Sequence, residues 1–269
     1  MKILICVRAN LSGYDVILAY NSFLYSLYKD KAESENDFKS GQKNRKLLKD
    51  KWNCELGYSS DVRSKLIEMI TEDKEDKIEV LELGCALGGT LNRIKFLWPE
   101  AGVHGVEYTS EIVKIAGSVT DVIQGDVENM EIPYQKEQFD YIICADVLEH
   151  LRNPEDTLKR FLPYLKKNGY FIISLPNVRY YAVCVMLMQF GRFDYADSGI
   201  LDRTHLRFFT KDTAIEMIEN CGLKIVSMDR NYNGNAGDDE FIEKIKKTFD
   251  VVDPEEFKAF QYYFKAQKS

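Results

Sequence analysis

An α/β fold built on a doubly wound, mostly parallel sheet is what this sequence predicts, and three observations predict it. Short apolar strands take turns with amphipathic helical segments from about residue 55 onward. One strand, Ile78 to Leu83, runs straight into the glycine turn Gly84-Cys85-Ala86-Leu87-Gly88-Gly89. Acids recur at or near the C-terminal ends of strands, the edge where open α/β sheets bind ligands. The 269 residues suffice for one elaborated domain. We divide them into an N-terminal extension, 1–54, and a sheet domain, 55–269, with a long excursion over 177–210.

The extension opens with strand-like MKILICV, continues with apolar-faced ILAYNSFLYSLY, and turns polar in KAESENDFKSGQKN. Its bulky Leu18, Phe23, Leu24, Leu27 and Tyr28 favour burial, so it reads as a lid over the ligand edge or as a homodimer interface. Val62, Leu66, Ile67 and Ile70 recur at helical spacing behind a Ser60 cap. Strand one, Ile78 to Leu83, leads to a helix over Thr90–Leu97. Strand two, Gly102 to Glu107, leads to EIVKIA, and strand three, Asp121 to Asp126, ends on its acid. Strand four, Phe139 to Asp146, precedes a helix over Pro154–Leu165 with proline in its first turn. Strand five is Gly169 to Pro176; a capped helix over Thr210–Gly222 stops at glycine before strand six, Leu223 to Asp229. Alternating FQYYFKAQK, Phe260 to Lys268, reads as a seventh strand.

Composition narrows the partners. With 36 basic and 43 acidic residues the formal charge is -7, and the run Lys43 to Lys51 reads as a solvated helix face, so nucleic acid is disfavoured. Six cysteines without a close CxxC pair suit a reduced, cytoplasmic protein. MKILICV is too short for a signal core, and the most apolar window, Val183 to Phe190, is far short of a membrane span.

The glycine turn admits two cofactors. A dinucleotide fold wants GxGxxG and an acid about 20 residues on, which Gly84, Ala86, Gly89 and Glu107 nearly satisfy, so an NAD-dependent oxidoreductase is a competing reading. Glu82, Asp126 and Asp146 shift the balance. A pyrophosphate gains nothing from added carboxylates, whereas S-adenosylmethionine carries a sulfonium and an ammonium and no phosphate. A lone acid after a strand also has a plainer reading as a cap or solvated turn, and Asp126 taken singly fits it.

VLELGCALGG, acid-ended GVHGVE, GDVE at Gly125 to Glu128, FDYIICADVLEHLRNPEDTL and LKKNGYFIISLPN together resemble the class I S-adenosylmethionine-dependent methyltransferases. The resemblance implies a Rossmann-like seven-stranded sheet of order 3-2-1-4-5-7-6 with strand seven antiparallel. It implies that Glu82 orients the turn near the methionine ammonium, that Gly84 and Gly88 pack against the cofactor, and that Glu107 takes the ribose hydroxyls. Asp126 resembles the adenine-amine contact with Val127 beside it; Asp146 resembles the position next to donor and acceptor; Cys85 and Tyr108 are counted with the cofactor contacts. Ala86 stands where the family commonly has glycine, a change accommodated if φ there is negative. SLPNVRYY with GRFDYADSGILDRTHLRFFT resembles a bacterial subgroup related to ubiquinone-type O-methyltransferases and found with glycosyltransferases of surface polysaccharide biosynthesis.

The acceptor side is read from the segments after strands four and five. Tyr180, Tyr181, Phe190, Phe193 and Tyr195 form either an apolar pocket wall or a satellite core, interrupted by charges from Arg192 to Arg207. An alcohol acceptor must lose a proton. His150, after strand four, and His205, near Asp202, are the candidate bases, each with a second reading as a structural histidine; we prefer His150, with Asp146 beside the reacting atoms. His104 reads as structural. Asp146, Glu149 and His150 offer metal-ligand atoms but do not converge if Val147 onward is helical, so no metal is expected. The expectation is a transferase O-methylating a sugar or glycan precursor, with N- or carboxyl-methylation of a small molecule and a non-catalytic cofactor-binding regulator as alternatives.

Overall fold

The computed structural model describes residues 62–268 except 118–119, 233–235 and 252. The N-terminal extension, with its lid or dimer role, and the Ser60 cap lie outside the described residues.

The sheet has seven strands in the order β3-β2-β1-β4-β5-β7-β6. Strands β1 (Glu79–Leu83), β2 (Gly102–Glu107), β3 (Asp121–Gln124), β4 (Phe139–Ala145) and β5 (Leu165–Pro176) pair in parallel. Strand β7 (Ala259–Lys268) runs antiparallel between β5 and β6 (Leu223–Tyr232). The order in which strands are added reverses between β1 and β4, so a crevice opens above the C-terminal ends of these two strands.

Alternation within each strand supplies two cores. Leu81, Leu83, Ile142, Cys144, Phe171 and Ile173 face one side, under α4 (Pro154–Phe161) and α6 (Lys211–Asn220). Val80, Tyr141, Ile143 and Ile172 face the other, under α1 (Ser64–Ile67) and α2 (Gly89–Leu97), with Trp98 fully buried. Strands buried on both faces become continuous apolar runs, and this is why β1, β4 and β5 read so clearly.

Several boundaries differ from expectation. The helix over Val62–Ile70 is a single turn, α1, and Val62 is exposed. Strand β3 stops at Gln124, so Asp126 sits two residues beyond it in a turn. The excursion contains a helix, α5 (Tyr181–Phe190), and α7 (Ala236–Thr248) packs beside it through Phe241 and Ile242 on Tyr181 and Cys184. Helix α3 (Ser110–Ala116) covers β2 and β3.

Candidate active site

The turn after β1 carries three left-handed residues, Gly84 (φ 67°), Ala86 (φ 46°) and Gly88 (φ 72°). At Gly84 a Cβ would stand 2.5 Å from Val147 Cγ2, so only glycine lets this turn close onto the loop after β4. The condition for an easily accommodated alanine, a negative φ, is not met: Ala86 takes the strained region, at a cost of about 1–2 kcal/mol. Its N–H donates to Glu107 Oε2 at 3.0 Å, and the Thr109 N–H donates to Oε1 at 2.9 Å. The acid ending β2 thereby fastens the turn while keeping lone pairs free for further donors.

Beneath the turn lies Glu82, 3% exposed, with Oε2 lacking a partner among the described residues. Burial pushes its carboxyl up to about 8; Arg63 and Thr90 oppose the rise and Glu107 adds to it. A buried carboxyl with an orphaned oxygen beside a glycine cradle suits an ammonium group.

Asp146 closes β4 in the left-handed region, φ 55°. Its N–H donates to Ser174 Oγ at 3.0 Å, the Ser174 hydroxyl donates back to Oδ1 at 2.6 Å, and Gln261 Nε2 also donates to Oδ1. Arg63 pairs with Oδ2 at 3.0 Å. Such over-determination holds a strained residue at a ligand edge.

These loops enclose a cavity of about 1210 Å³. Among the candidate site residues, Gly84, Ala86, Glu107, Tyr108, Asp126, Val127, Asp146 and His150 line it. Glu82 and Gly88 are not part of that lining, and the Cys85 thiol packs against Gly105 in the core, its ionisation pushed up by burial. Asp126 also caps its own turn, Oδ1 accepting the Glu128 N–H and Oδ2 the Asn129 side chain. The far wall is polar, with Arg152, Asn153, Asp156, Lys159 and Thr204. Sequence reasoning misses Arg63, since one arginine before a short helix carries no pattern.

The aromatic residues of the excursion do not line the cavity. Tyr180 is buried with Val183, Ile200 and Leu201 as a satellite core, Tyr181 packs on Phe241, and Phe193, Tyr195 and Phe208 contact one another. Only Thr204 of that segment reaches the wall. The excursion is pinned by its return: the Leu206 and Arg207 N–H groups both donate to the Glu149 carbonyl, at 2.8 and 3.0 Å.

At that junction a 3-10 turn over Leu148–His150 sets three titratable side chains together. The His150 and His205 rings meet edge-to-face at 4.6 Å. His150 Nδ1 lies 3.1 Å from Thr204 Oγ1 and 3.3 Å from Thr204 O; the Thr204 hydroxyl donates to Asp202 Oδ1 at 2.6 Å. His205 Nδ1 lies 2.9 Å from the Ile200 carbonyl. Burial, with His205 adding to it, holds His150 below its ordinary pKa, which favours the neutral ring. Glu149 is 1% exposed, its Oε2 has no partner among the described residues, and burial followed by the Asp146 charge pushes its carboxyl well up. His104 is remote from the cavity, bonded to Asp121 and Glu79.

Comparison with known proteins agrees with this geometry. A family model described as a methyltransferase domain matches residues 58–228. The ubiquinone biosynthesis O-methyltransferase of Rickettsia felis is 26% identical over 175 residues, 59% of this chain and 69% of that protein. The malonyl-[acyl-carrier protein] O-methyltransferase of Halalkalibacterium halodurans is 27% identical over 122 residues, 41% of this chain and 45% of that protein. Among solved structures, a SAM-dependent methyltransferase from Archaeoglobus fulgidus shares the fold with a TM-score of 0.54 at 16% identity, over 87% of this chain and 100% of that one. No described helix is long and apolar enough to cross a membrane. With the family match spanning more than half of the chain, and with a glycine cradle and buried acid suited to the cofactor's charge, the chain belongs to the methyltransferase domain family and is an S-adenosylmethionine-dependent methyltransferase acting on a small-molecule acceptor.

Proposed function

We propose that the enzyme methylates a hydroxyl oxygen of a small polar acceptor, a sugar unit of a glycan or its activated precursor. The observation that carries this reading is His150 on the cavity wall, its Nδ1 engaged by Thr204, which leaves the Nε2 lone pair available for acceptor chemistry. Bound S-adenosylmethionine supplies an electrophilic methyl group on a sulfonium. Glu82, buried beneath the turn, balances the ammonium end, Gly84 and Ala86 offer close backbone, with Gly88 shaping the turn and Cys85 contributing main chain only, and Glu107 accepts from the ribose. Tyr108, Asp126 and Val127 take the adenine side, and Asp146 stands between donor and acceptor.

Transfer is an in-line displacement that consumes charge, so alignment supplies much of the rate. What alignment leaves undone is removal of the hydroxyl proton, and His150, with Glu149 and His205 beside it, is placed on the cavity wall to assist it. An amine entering neutral, or a carboxylate, requires no such group. The polar wall of Arg152, Asn153, Asp156, Lys159 and Thr204 suits a hydroxyl-rich acceptor. The name of the Rickettsia felis relative specifies O-methyl transfer, which supports oxygen chemistry without specifying the acceptor.

The test is product identification by mass spectrometry with glycan precursors, sugar nucleotides and cell extracts. An O-methylated hydroxy compound is expected; a methylated amine or carboxylate product replaces this reading.

A further inference from the structure

We propose that Glu149, His150 and His205 hold one divalent transition-metal cation, and that this cation activates the acceptor hydroxyl. The proposal rests on the reading of the acceptor end just given and names how that end works.

The three side chains present one ligand atom each within 4.8 Å of one another. Donors about 2.1 Å from a shared cation stand up to about 4.2 Å apart, so small rotations of these side chains complete the set. The donors come from two segments that the backbone ties together, because the Glu149 carbonyl accepts from both Leu206 and Arg207. Glu149 and His150 share one short turn, and His205 is carried to it by the end of the excursion.

Chemistry at each donor agrees. A backbone carbonyl has no hydrogen to give, so the contact with Ile200 O sets the proton of His205 on Nδ1 and leaves Nε2 with its lone pair. The Thr204 hydroxyl spends its hydrogen on Asp202, so its contact with His150 sets that ring's proton on Nδ1 as well. Both imidazoles therefore present Nε2, each with the outer hydrogen bond that fixes a metal-binding histidine. Glu149 Oε2 is the third donor, buried and without a partner among the described residues. An unpaired carboxyl oxygen buried beside two imidazole lone pairs is costly unless a cation, binding as the carboxyl gives up its proton, completes it.

Two imidazoles and one carboxylate favour zinc, cobalt, manganese or iron over magnesium or calcium, which prefer all-oxygen sets. Three protein donors leave coordination positions open, and because His150 lines the cavity these face the acceptor. A cation there lowers the pKa of an adjacent hydroxyl. The O–H bond gives its proton to water, the oxygen attacks the methyl carbon, and the S–CH3 bond breaks. The products are a methyl ether, S-adenosylhomocysteine and one proton. Asp146, the third donor that the sequence suggests, is taken by Ser174, Gln261 and Arg63, and His205 replaces it.

The experiment titrates Co2+ into chelator-treated full-length protein, followed by visible d–d absorbance and calorimetry. One Co2+ per chain, displaced by Zn2+, is expected. Glu149→Gln, which keeps shape, and His205→Asn should each weaken it by about tenfold or more while S-adenosylhomocysteine still binds, which reports an intact fold. If His205→Asn fails to bind S-adenosylhomocysteine, His150→Gln takes its place. Absence of Co2+ binding, or unchanged affinity in the variants that bind S-adenosylhomocysteine, overturns the proposal. The titration needs no acceptor. Hence a bound cation with an amine product sinks only the O-methylation reading, and an O-methylated product from a protein that binds no Co2+ sinks only the metal site.

Discussion

Glu107 Oε2 accepts the Ala86 N–H across 3.0 Å, so the acid at the end of β2 holds the strained turn that follows β1. On the proposed reading one carboxylate couples two jobs, shaping the glycine cradle and meeting the ribose. Replacing Glu107 by Ala removes both. S-adenosylhomocysteine binding should weaken by about 2 kcal/mol, with a lowered melting temperature even without ligand. Glu107→Gln keeps an acceptor for one backbone N–H and should recover part of the melting temperature but less of the affinity. Calorimetry beside thermal melts separates the two effects; an Ala variant with wild-type melting would remove the turn-holding role.

The left-handed φ of Ala86 makes an unusual prediction for an alanine. Ala→Gly in a regular element costs roughly 0.5–1 kcal/mol. Here the native backbone prefers glycine, and relief of strain offsets the added freedom of the unfolded chain. Ala86→Gly should leave urea stability unchanged or raised, whereas Gly84→Ala, with its Cβ 2.5 Å from Val147 Cγ2, should lower it. A destabilised Ala86→Gly would contradict the strain.

Glu82 links stability to pH. Its folded carboxyl titrates at about 8 because of burial, against an ordinary value of 4.5. Between these values the unfolded state has released its proton while the folded state keeps it. Unfolding free energy therefore falls as pH rises, by about 1.4 kcal/mol per unit from this group, and levels off above about 8. Below about 4.5 both states are protonated and the group is silent. Glu82→Gln should flatten this part of the profile and make the ligand-free protein more stable at about pH 8 than the wild type, while weakening the cofactor. Urea titrations across about pH 5 to 8 check it; parallel profiles would mean Glu82 is charged in the ligand-free fold. Cofactor binding below about pH 8 should also release a proton, visible as calorimetric heats that depend on buffer ionisation.

Ser174 is nearly inaccessible and makes two bonds to Asp146, accepting its N–H and donating to its carboxylate. Ser174→Ala leaves the Asp146 N–H without this acceptor and should cost about 1–3 kcal/mol by urea denaturation. Turnover should fall with it, because Asp146, which the proposed reading sets between donor and acceptor, loses its anchor. Wild-type stability in this variant would show that Gln261 and Arg63 suffice.

Legibility in the sequence tracks physical signal. Strands β1, β4 and β5 are plain because burial on both faces makes them unbroken apolar runs, and Glu82, Glu107 and Asp146 are plain because they interrupt or end such runs. Helix α5 is not, since YAVCVMLMQF has no polar face to reveal a period; its side chains pack partly on α7 and leave Leu187, Met188 and Phe190 exposed. The aromatic residues around it suggest a pocket wall, but composition does not tell a satellite core from a cavity lining. Glu149 is visible in DVLEH, yet its pairing with His205 depends on the excursion returning to that turn, and no spacing encodes a return of that length. The partnership of Arg63 with Asp146 is likewise a product of the fold.

The hydroxyl of Thr204 offers the cleanest separation of chemistry from cofactor binding. It accepts from His150 Nδ1 at 3.1 Å and donates to Asp202 at 2.6 Å, and it makes no hydrogen bond to the glycine turn or to Glu107. Thr204→Val keeps the branched shape and deletes this relay, leaving His150 only the longer contact to the Thr204 carbonyl at 3.3 Å. The ring then loses part of what fixes its tautomer and orientation. We expect kcat to fall by about tenfold to a hundredfold, with the affinity for S-adenosylhomocysteine unchanged, since the Thr204 hydroxyl bonds His150 and Asp202 and none of the residues proposed to hold the cofactor. Steady-state kinetics on the identified acceptor, with calorimetry on S-adenosylhomocysteine, read the split. An unchanged kcat would remove His150 from the acceptor chemistry, whereas a loss confined to cofactor affinity would mean that Thr204 serves the donor end of the cavity instead of the acceptor end.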